Sequence, residues 1–252
     1  LCPFSWYLTH HLHLENPQDF TAEHIRIGTV MHDVLEQYFR KHPCITADMR
    51  EDAYTEISSL LREEMEKTGI DTPSWKAKYL QYCGFEMLES ALQKIIDTEI
   101  QLAEEGFSTG PEWLERDVSA VFDGITVSGR VDRVILRGSE FRVLDYKTGK
   151  PKNKSDVPKG LVLQLPAYTE GIAQETALTP LTGYYLQTSP THVGVIDLFP
   201  AGAYVMITEA KERISEILAS IRSGVCAAKP DCGVKYCAYR SICRNDDGGE
   251  ND

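Results

Sequence analysis

No stretch of this 252-residue sequence approaches the ~18 consecutive apolar residues that a membrane-spanning helix requires. No basic lead followed by a short apolar run marks a secretory signal either. Both absences lead to the expectation of a soluble, cytoplasmic protein. Surplus positive charge is also missing: 26 Lys and Arg stand against 38 Asp and Glu, a formal net charge of -12. Proteins that coat nucleic acid nonspecifically rely on widespread phosphate neutralisation, so that class is excluded, although a local basic site is not. There is no internal repeat, no low-complexity tract and no Walker-type glycine–lysine phosphate loop. The seven cysteines are an odd number in a chain too large to need disulfide staples, which argues against a secreted disulfide framework. What is present, 42% apolar and 25% charged residues, is ordinary globular composition.

The first hundred residues carry helical periodicity. Thr21 reads as the N-cap of a helix running to about Arg40, with Glu23 adding negative charge to its first turn. His32, Leu35 and Phe39 recur at helical spacing, and Pro43 closes the pattern. A second helix spans about 48–67, with Glu51, Glu56, Glu63 and Glu64 as a solvated face. A third, about 74–105, carries Tyr79, Tyr82, Met87, Leu92 and Ile96 and stops at Gly106. Short Val/Ile-rich runs follow at about 115–122, 125–136 and 141–146, punctuated by Asp123-Gly124 and Gly138-Ser139. That spacing predicts a three-stranded antiparallel meander. A helix near 161–174, strands near 181–187 and 193–198, and a helix near 209–223 complete the pattern. The mixed order calls for an α/β (α+β mixed) fold, a mixed central sheet flanked by helices with a helical region before it. The expected organisation is one integrated domain: a helical region 1–110, a core 111–225, and a C-terminal segment 226–252 with clustered cysteines and a disordered acidic tail.

Chemistry concentrates in two neighbouring segments. Gly129-Arg-Val-Asp132-Arg-Val is followed, thirteen residues after Asp132, by Asp145-Tyr-Lys147-Thr-Gly-Lys150. On the meander, Asp132 and Asp145 fall on adjacent strands, and alternation puts Asp145 and Lys147 on one face. Two buried carboxylates side by side call for a cation, and aspartate oxygens suit a hard divalent ion such as Mg²⁺ or Mn²⁺. Residues 130–159 hold nine Lys/Arg against four acids, which fits either a phosphate-facing patch or a solvated basic loop. His32 by itself reads as a core histidine beside Leu35 and Phe39 or as a ligand. Cys232-x4-Cys237-x5-Cys243, with Cys2 at the other end of the chain, suits a 4Fe–4S cluster, a tetrahedral zinc or free buried thiols. Cys44 and Cys83 read as buried thiols.

Taken together, these segments resemble the PD-(D/E)xK nuclease superfamily. More narrowly, they are similar to RecB-type, AddB-like nuclease domains of its iron–sulfur branch, which also includes nucleases of CRISPR spacer acquisition. The resemblance rests on Gly-Arg-Val-Asp-Arg-Val, Leu-Asp-Tyr-Lys-Thr-Gly, Gln164-Leu-Pro-Ala-Tyr168, the upstream Gly28-Thr-Val-Met-His32-Asp-Val-Leu-Glu36, and the terminal cysteines. It covers the chain from Cys2 to Cys243. It implies a restriction-endonuclease-like core and a Mg²⁺- or Mn²⁺-dependent deoxyribonuclease acting on single-stranded DNA or duplex ends in repair.

The resemblance also implies roles for individual residues. His32, Asp132, Asp145 and the backbone carbonyl of Tyr146 would hold the metal, and Lys147 would orient the attacking water. Gln164 and Tyr168 would share a helix face beside the site, with Pro166 starting or bending that helix. Glu115 is the additional acid, and Glu112 is its rival. Arg130, Arg133, Lys150, Lys152 and Lys154 would guide DNA, aided by Lys229, Lys235, Arg240 and Arg244. Cys2, Cys232, Cys237 and Cys243 would hold a 4Fe–4S cluster, with structural Zn²⁺ as the alternative. Four residues separate Cys232 from Cys237 where relatives usually have two, which makes Cys226 a substitute ligand. The start at Leu1-Cys2, without the relatives' polar lead-in, implies an excised domain or truncated copy, with any helicase partner elsewhere. A CRISPR-adaptation-type nuclease and a noncatalytic iron–sulfur module that binds DNA ends are the alternative functions.

Overall fold

Helix α1 (Ala22–Lys41) forms because apolar residues recur every three or four positions, and Ile27, Val30, Met31, Val34, Leu35, Tyr38 and Phe39 are all buried. Its other face carries Gly28, His32, Glu36 and Arg40, each four residues from the next. Helix α2 (Arg50–Lys67) buries Ala53, Ile57, Leu60, Leu61 and Met65 in the same core. Helix α3 (Pro73–Cys83) is capped by Thr72, whose Oγ1 accepts the Trp75 N–H at 3.2 Å. Helix α4 (Ala91–Glu104) is capped by Ser90, whose Oγ accepts the Gln93 N–H at 3.2 Å. Each cap contributes about 1 kcal/mol. The computed structural model describes residues 4, 7–12, 22–85, 89–149, 162–198 and 202–224.

Several boundaries differ from expectation. The single helix over 74–105 is two helices. Gly84, at φ 82, ends α3 in a conformation that side chains resist, and Ser90 starts the next helix. The second helix begins at Arg50, with Asp48 in a 3₁₀ turn (Ala47–Met49) before it. Glu64 does not lie on a solvated face. It is buried, and its Oε1 accepts from Gln37 Nε2 and Lys67 Nζ, both at 2.6 Å. The expected cap Thr21 and the expected core residue Met87 lie outside the described residues.

Five strands form one sheet in the spatial order β1 (Leu114–Phe122), β2 (Ile125–Arg137), β3 (Glu140–Lys147), β4 (Thr179–Ser189), β5 (His192–Asp197). The first three are the antiparallel meander. Its turns are the two expected dipeptides. Asp123-Gly124 has positive φ at both residues, as a type I′ turn needs, and Gly138 alone is positive in the second, as in type II′. Strand β4 runs parallel to β3, so the chain must cross over between them, and helix α5 (Gln164–Glu175) lies in that connection. Pro166 falls in the first turn of α5, where a missing N–H costs nothing, so the helix starts there without a break. Strand β5 returns antiparallel to β4, and helix α6 (Ala203–Arg222) follows, starting earlier than its expected bound near 209.

Tyr146 and Leu186 join the α1–α4 core on one face of the sheet. Val134, Val143 and Tyr185 pack with Leu165 and Ile172 of α5 and Met206 and Ile207 of α6. This is the mixed α/β sheet flanked by helices, with a helical region before it. The chain divides into two compact units, Ala22–Ile214 and a smaller one made of Leu1–Thr21 with Ser215–Asp252. The described part of the smaller unit is a π-helical turn (Tyr7–His11), with the Tyr7 and His11 rings stacked at 4.9 Å, and the last part of α6. Among the described residues no helix is long and apolar enough to cross a membrane.

Candidate active site

Strands β1 and β2 change facing at one step of their ladder. Leu114 belongs to the α1–α4 core, yet Val118, four residues on, belongs to the α5–α6 side. Regular alternation would keep both on one face. Between them sits Glu115 at φ 45, a left-handed conformation rare for a side chain of this length. On β2, Val131 packs on the α5–α6 side while Arg133 reaches Glu99 of α4. Asp132 lies between these two, so the distortion falls where Glu115 and Asp132 are neighbours. The β2–β3 ladder ends at the Arg133–Leu144 pair, and Asp132 and Asp145 are the next residues of the two strands.

Helix α1 brings His32 to the same place. Its Nδ1 lies 3.5 Å from Asp132 Oδ2 and 4.0 Å from Glu115 Oε1. The donor atoms of His32, Glu115 and Asp132 all fall within 4.8 Å of one another, and these residues form a group able to hold a metal ion. His32 Nε2 donates to the Tyr146 carbonyl at 3.1 Å, which holds the ring with Nδ1 turned toward the carboxylates. The Tyr146 N–H donates to Asp132 Oδ2 at 2.7 Å. Beside this group, Lys147 Nζ stands 2.5 Å from Oδ2 of Asp145, whose side chain is only 1% exposed. One imidazole and two carboxylates are a donor set suited to a hard or borderline divalent ion.

Burial sets the electrostatics. It pushes the Asp132 carboxyl up to about 7, and the neighbouring Asp145 adds to the shift. Burial also raises Asp145, while Lys147 pulls the other way. Glu115 is raised by burial and then by Asp132. Acids that resist ionisation when alone are what an approaching cation would relieve. The group opens into a cleft of about 670 Å³ lined by the Gly28–Arg40 face of α1 together with Glu115 and Arg130.

The structure thus brings together His32, Asp132, Glu115, Asp145, Tyr146 and Lys147. Of the two rival acids, Glu115 is in the group, while Glu112 is exposed in the 3₁₀ turn before β1 (Pro111–Trp113) and lies over Gly110. The Tyr146 carbonyl is engaged by His32, and Asp145 is paired with Lys147. Gln164 Nε2 donates to the Tyr168 hydroxyl at 3.1 Å, so these two do share a helix face. The Tyr168 ring lies over Gly129, where a Cβ would come within 2.5 Å of it. Arg130 is exposed and pairs with Asp117 at 2.9 Å.

Arg133 corrects the expected DNA-guiding set. It is 1% exposed and bonded to Glu99, because both faces of this part of β2 are covered by helices and Arg133 turns to the α1–α4 side. Lys150, Lys152, Lys154, Lys229, Lys235, Arg240 and Arg244 lie outside the described residues, as do Cys2, Cys226, Cys232, Cys237, Cys243 and the acidic tail. Cys44 and Cys83 are half-buried free thiols. Two features went unassigned in the sequence although it carried their signals. Glu36 and Arg40 repeat the four-residue spacing of Gly28 and His32, which marks the cleft face of α1. Glu99 sits within the apolar stripe of Leu92, Ile95, Ile96 and Leu102, where a charge requires a partner.

A mixed sheet carrying carboxylates and a lysine on adjacent strands, between two helical layers, is a restriction-endonuclease-like α/β fold. The chain belongs to the PD-(D/E)XK nuclease superfamily, whose family model matches residues 1–244. It is similar to AddB-like proteins named as subunits of an ATP-dependent helicase/deoxyribonuclease. The one from Clostridium tetani is 26% identical over 195 residues, 69% of this chain and 17% of that protein. Those from Acetivibrio thermocellus and Clostridium acetobutylicum are 26% and 24% identical over 68% and 70% of this chain, and 16% and 17% of theirs. The chain therefore spans about one sixth of the length of the relatives it matches.

Proposed function

We propose that this chain is a divalent-cation-dependent deoxyribonuclease that cuts single-stranded or end-frayed DNA in repair, as the nuclease part of a cytoplasmic helicase–nuclease assembly. The observation that carries the reading is the His32–Glu115–Asp132 group beside the Asp145–Lys147 pair. A phosphodiester resists water because water is a poor nucleophile and charge accumulates on the phosphoryl oxygens. A divalent ion held by His32, Glu115 and Asp132 would lower the pKa of bound water and offset that charge. Lys147 holds and orients the attacking water, and Asp145 keeps the ammonium aimed at the phosphate position. Tyr168, fixed by Gln164 over Gly129, flanks the strand. Arg130 on the cleft wall attracts the phosphate backbone.

The names of the similar proteins support the deoxyribonuclease reading and a helicase motor in another part or another chain. The terminal cysteines extend it to a 4Fe–4S cluster on Cys2, Cys232, Cys237 and Cys243, or to a structural zinc, which iron, zinc and acid-labile sulfide analysis of anaerobically purified protein distinguishes. The function itself is tested with end-labelled single-stranded DNA and Mg²⁺ or Mn²⁺, comparing wild type with Asp145→Ala and Lys147→Ala. Metal-dependent cutting lost in both variants supports the reading. Binding without cutting by a folded wild type, even with a helicase partner supplied, favours a noncatalytic module that binds DNA ends.

A further inference from the structure

Tyr146 touches the candidate metal group with three different parts. Its N–H donates to Asp132, its carbonyl accepts from His32, and its ring edge packs on the His32 ring, with centroids 5.6 Å apart and planes at 82°. The far end of the same side chain is held as well. Arg133 Nη1 donates to the Tyr146 hydroxyl at 3.2 Å and to Glu99 Oε1 at 2.8 Å. The Arg133 guanidinium lies 3.5 Å from the centre of the Phe39 ring. Phe39 is on α1 two turns beyond His32, Arg133 follows Asp132 in β2, and Tyr146 follows Asp145 in β3. One buried network therefore ties together the three elements that supply His32, Asp132 and Asp145.

Stability alone is a poor reason for this arrangement. The side chains of Arg133 and Glu99 are 2% and 1% exposed, and an ion pair so buried repays its desolvation only when every donor is satisfied. Arg133 Nε is buried and has no hydrogen-bond acceptor. Apolar residues of similar volume would fill the space at lower cost. What apolar residues would not supply is a fixed position for the Tyr146 hydroxyl, and through it for the Tyr146 N–H and carbonyl that hold Asp132 and His32.

We propose that the Arg133–Glu99 pair is a positioning device for the metal group, acting through Tyr146. The proposal rests on the metal-binding reading of that group. Its test is calorimetric Mn²⁺ binding to wild type, Tyr146→Phe, the double variant Arg133→Met/Glu99→Leu, and a His32→Ala control, with each metal-free protein melted for comparison. Groups that orient ligands without touching the ion typically change metal affinity by ~10–100-fold. Mn²⁺ affinity is expected to fall on the order of tenfold in Tyr146→Phe and further in the double variant. Metal-free melting should stay cooperative and close to wild type. In the cleavage assay kcat should drop with KM for the oligonucleotide unchanged. Wild-type Mn²⁺ affinity in either folded variant overturns the proposal, as does a loss confined to variants that no longer melt cooperatively. If His32→Ala binds Mn²⁺ like wild type, the metal-group reading itself fails, and that result is visible separately.

Discussion

Asp132→Asn should make the metal-free protein more stable while abolishing what the site is for. Asparagine can still accept the Tyr146 N–H through its side-chain oxygen, but carries no charge. The Asp132 carboxyl stands at about 7 in the folded chain against 3.8 as the ordinary value, because it is buried beside Asp145. Its folded form thus holds a proton that the unfolded form has released, and stability falls as pH rises from about 4 to about 7. Removing that buried charge therefore stabilises the metal-free variant by an amount on the order of a few kcal/mol, larger at pH 8 than at pH 5. Urea unfolding without metal at both pH values reads this as a rise in midpoint at constant slope. Saturating Mn²⁺ should reverse the order, stabilising wild type and leaving the variant unchanged. A variant no more stable than wild type at pH 8, or a gain independent of pH, would refute the reasoning.

Further consequences follow from the same geometry. Gly129→Ala should cost about 1–3 kcal/mol by driving a methyl group into the Tyr168 ring, and most of that cost should vanish in a Tyr168→Ala background. Equal costs in both backgrounds would contradict the close approach. Because His32 adds an imidazole to two carboxylates, Mn²⁺ should bind more tightly than Mg²⁺, with the gap narrowed in His32→Ala. Equal calorimetric affinities for the two ions in wild type would count against that donor set. DNA binding should weaken as salt rises, and Arg130→Ala should reduce the slope of log affinity against log salt by about one. An unchanged slope removes Arg130 from the phosphate path.

The meander and its turns were legible because alternation and the dipeptides Asp123-Gly124 and Gly138-Ser139 are local signals, whereas the parallel pairing of β4 with β3 is a long-range contact with no local mark. The helix break was not. Tyr79, Tyr82, Leu92 and Ile96 keep an apolar rhythm across residues 84–90, and a lone glycine in such a run does not announce a stop. The direction of Arg133 was hidden for a different reason. Helices cover both faces of β2 there, which a charge count along the sequence does not register, and the left-handed Glu115 opposite marks a change of facing that residue types do not encode. The same distortion explains why Glu115 was harder to place than Asp132 or Asp145. Its role depends on where β1 kinks, whereas theirs follows from adjacent strands. His32 lies between these cases: its spacing put it on a helix face, but only packing of α1 against β3 shows which one.

The most direct measurement is the anomalous X-ray scattering of Mn²⁺ in crystals of this chain. The expected result is a strong peak within bonding distance of His32 Nδ1 and the carboxylates of Glu115 and Asp132, absent from Asp132→Asn crystals. A peak that persists in that variant, or no peak at this group in a wild type saturated with Mn²⁺, would contradict it.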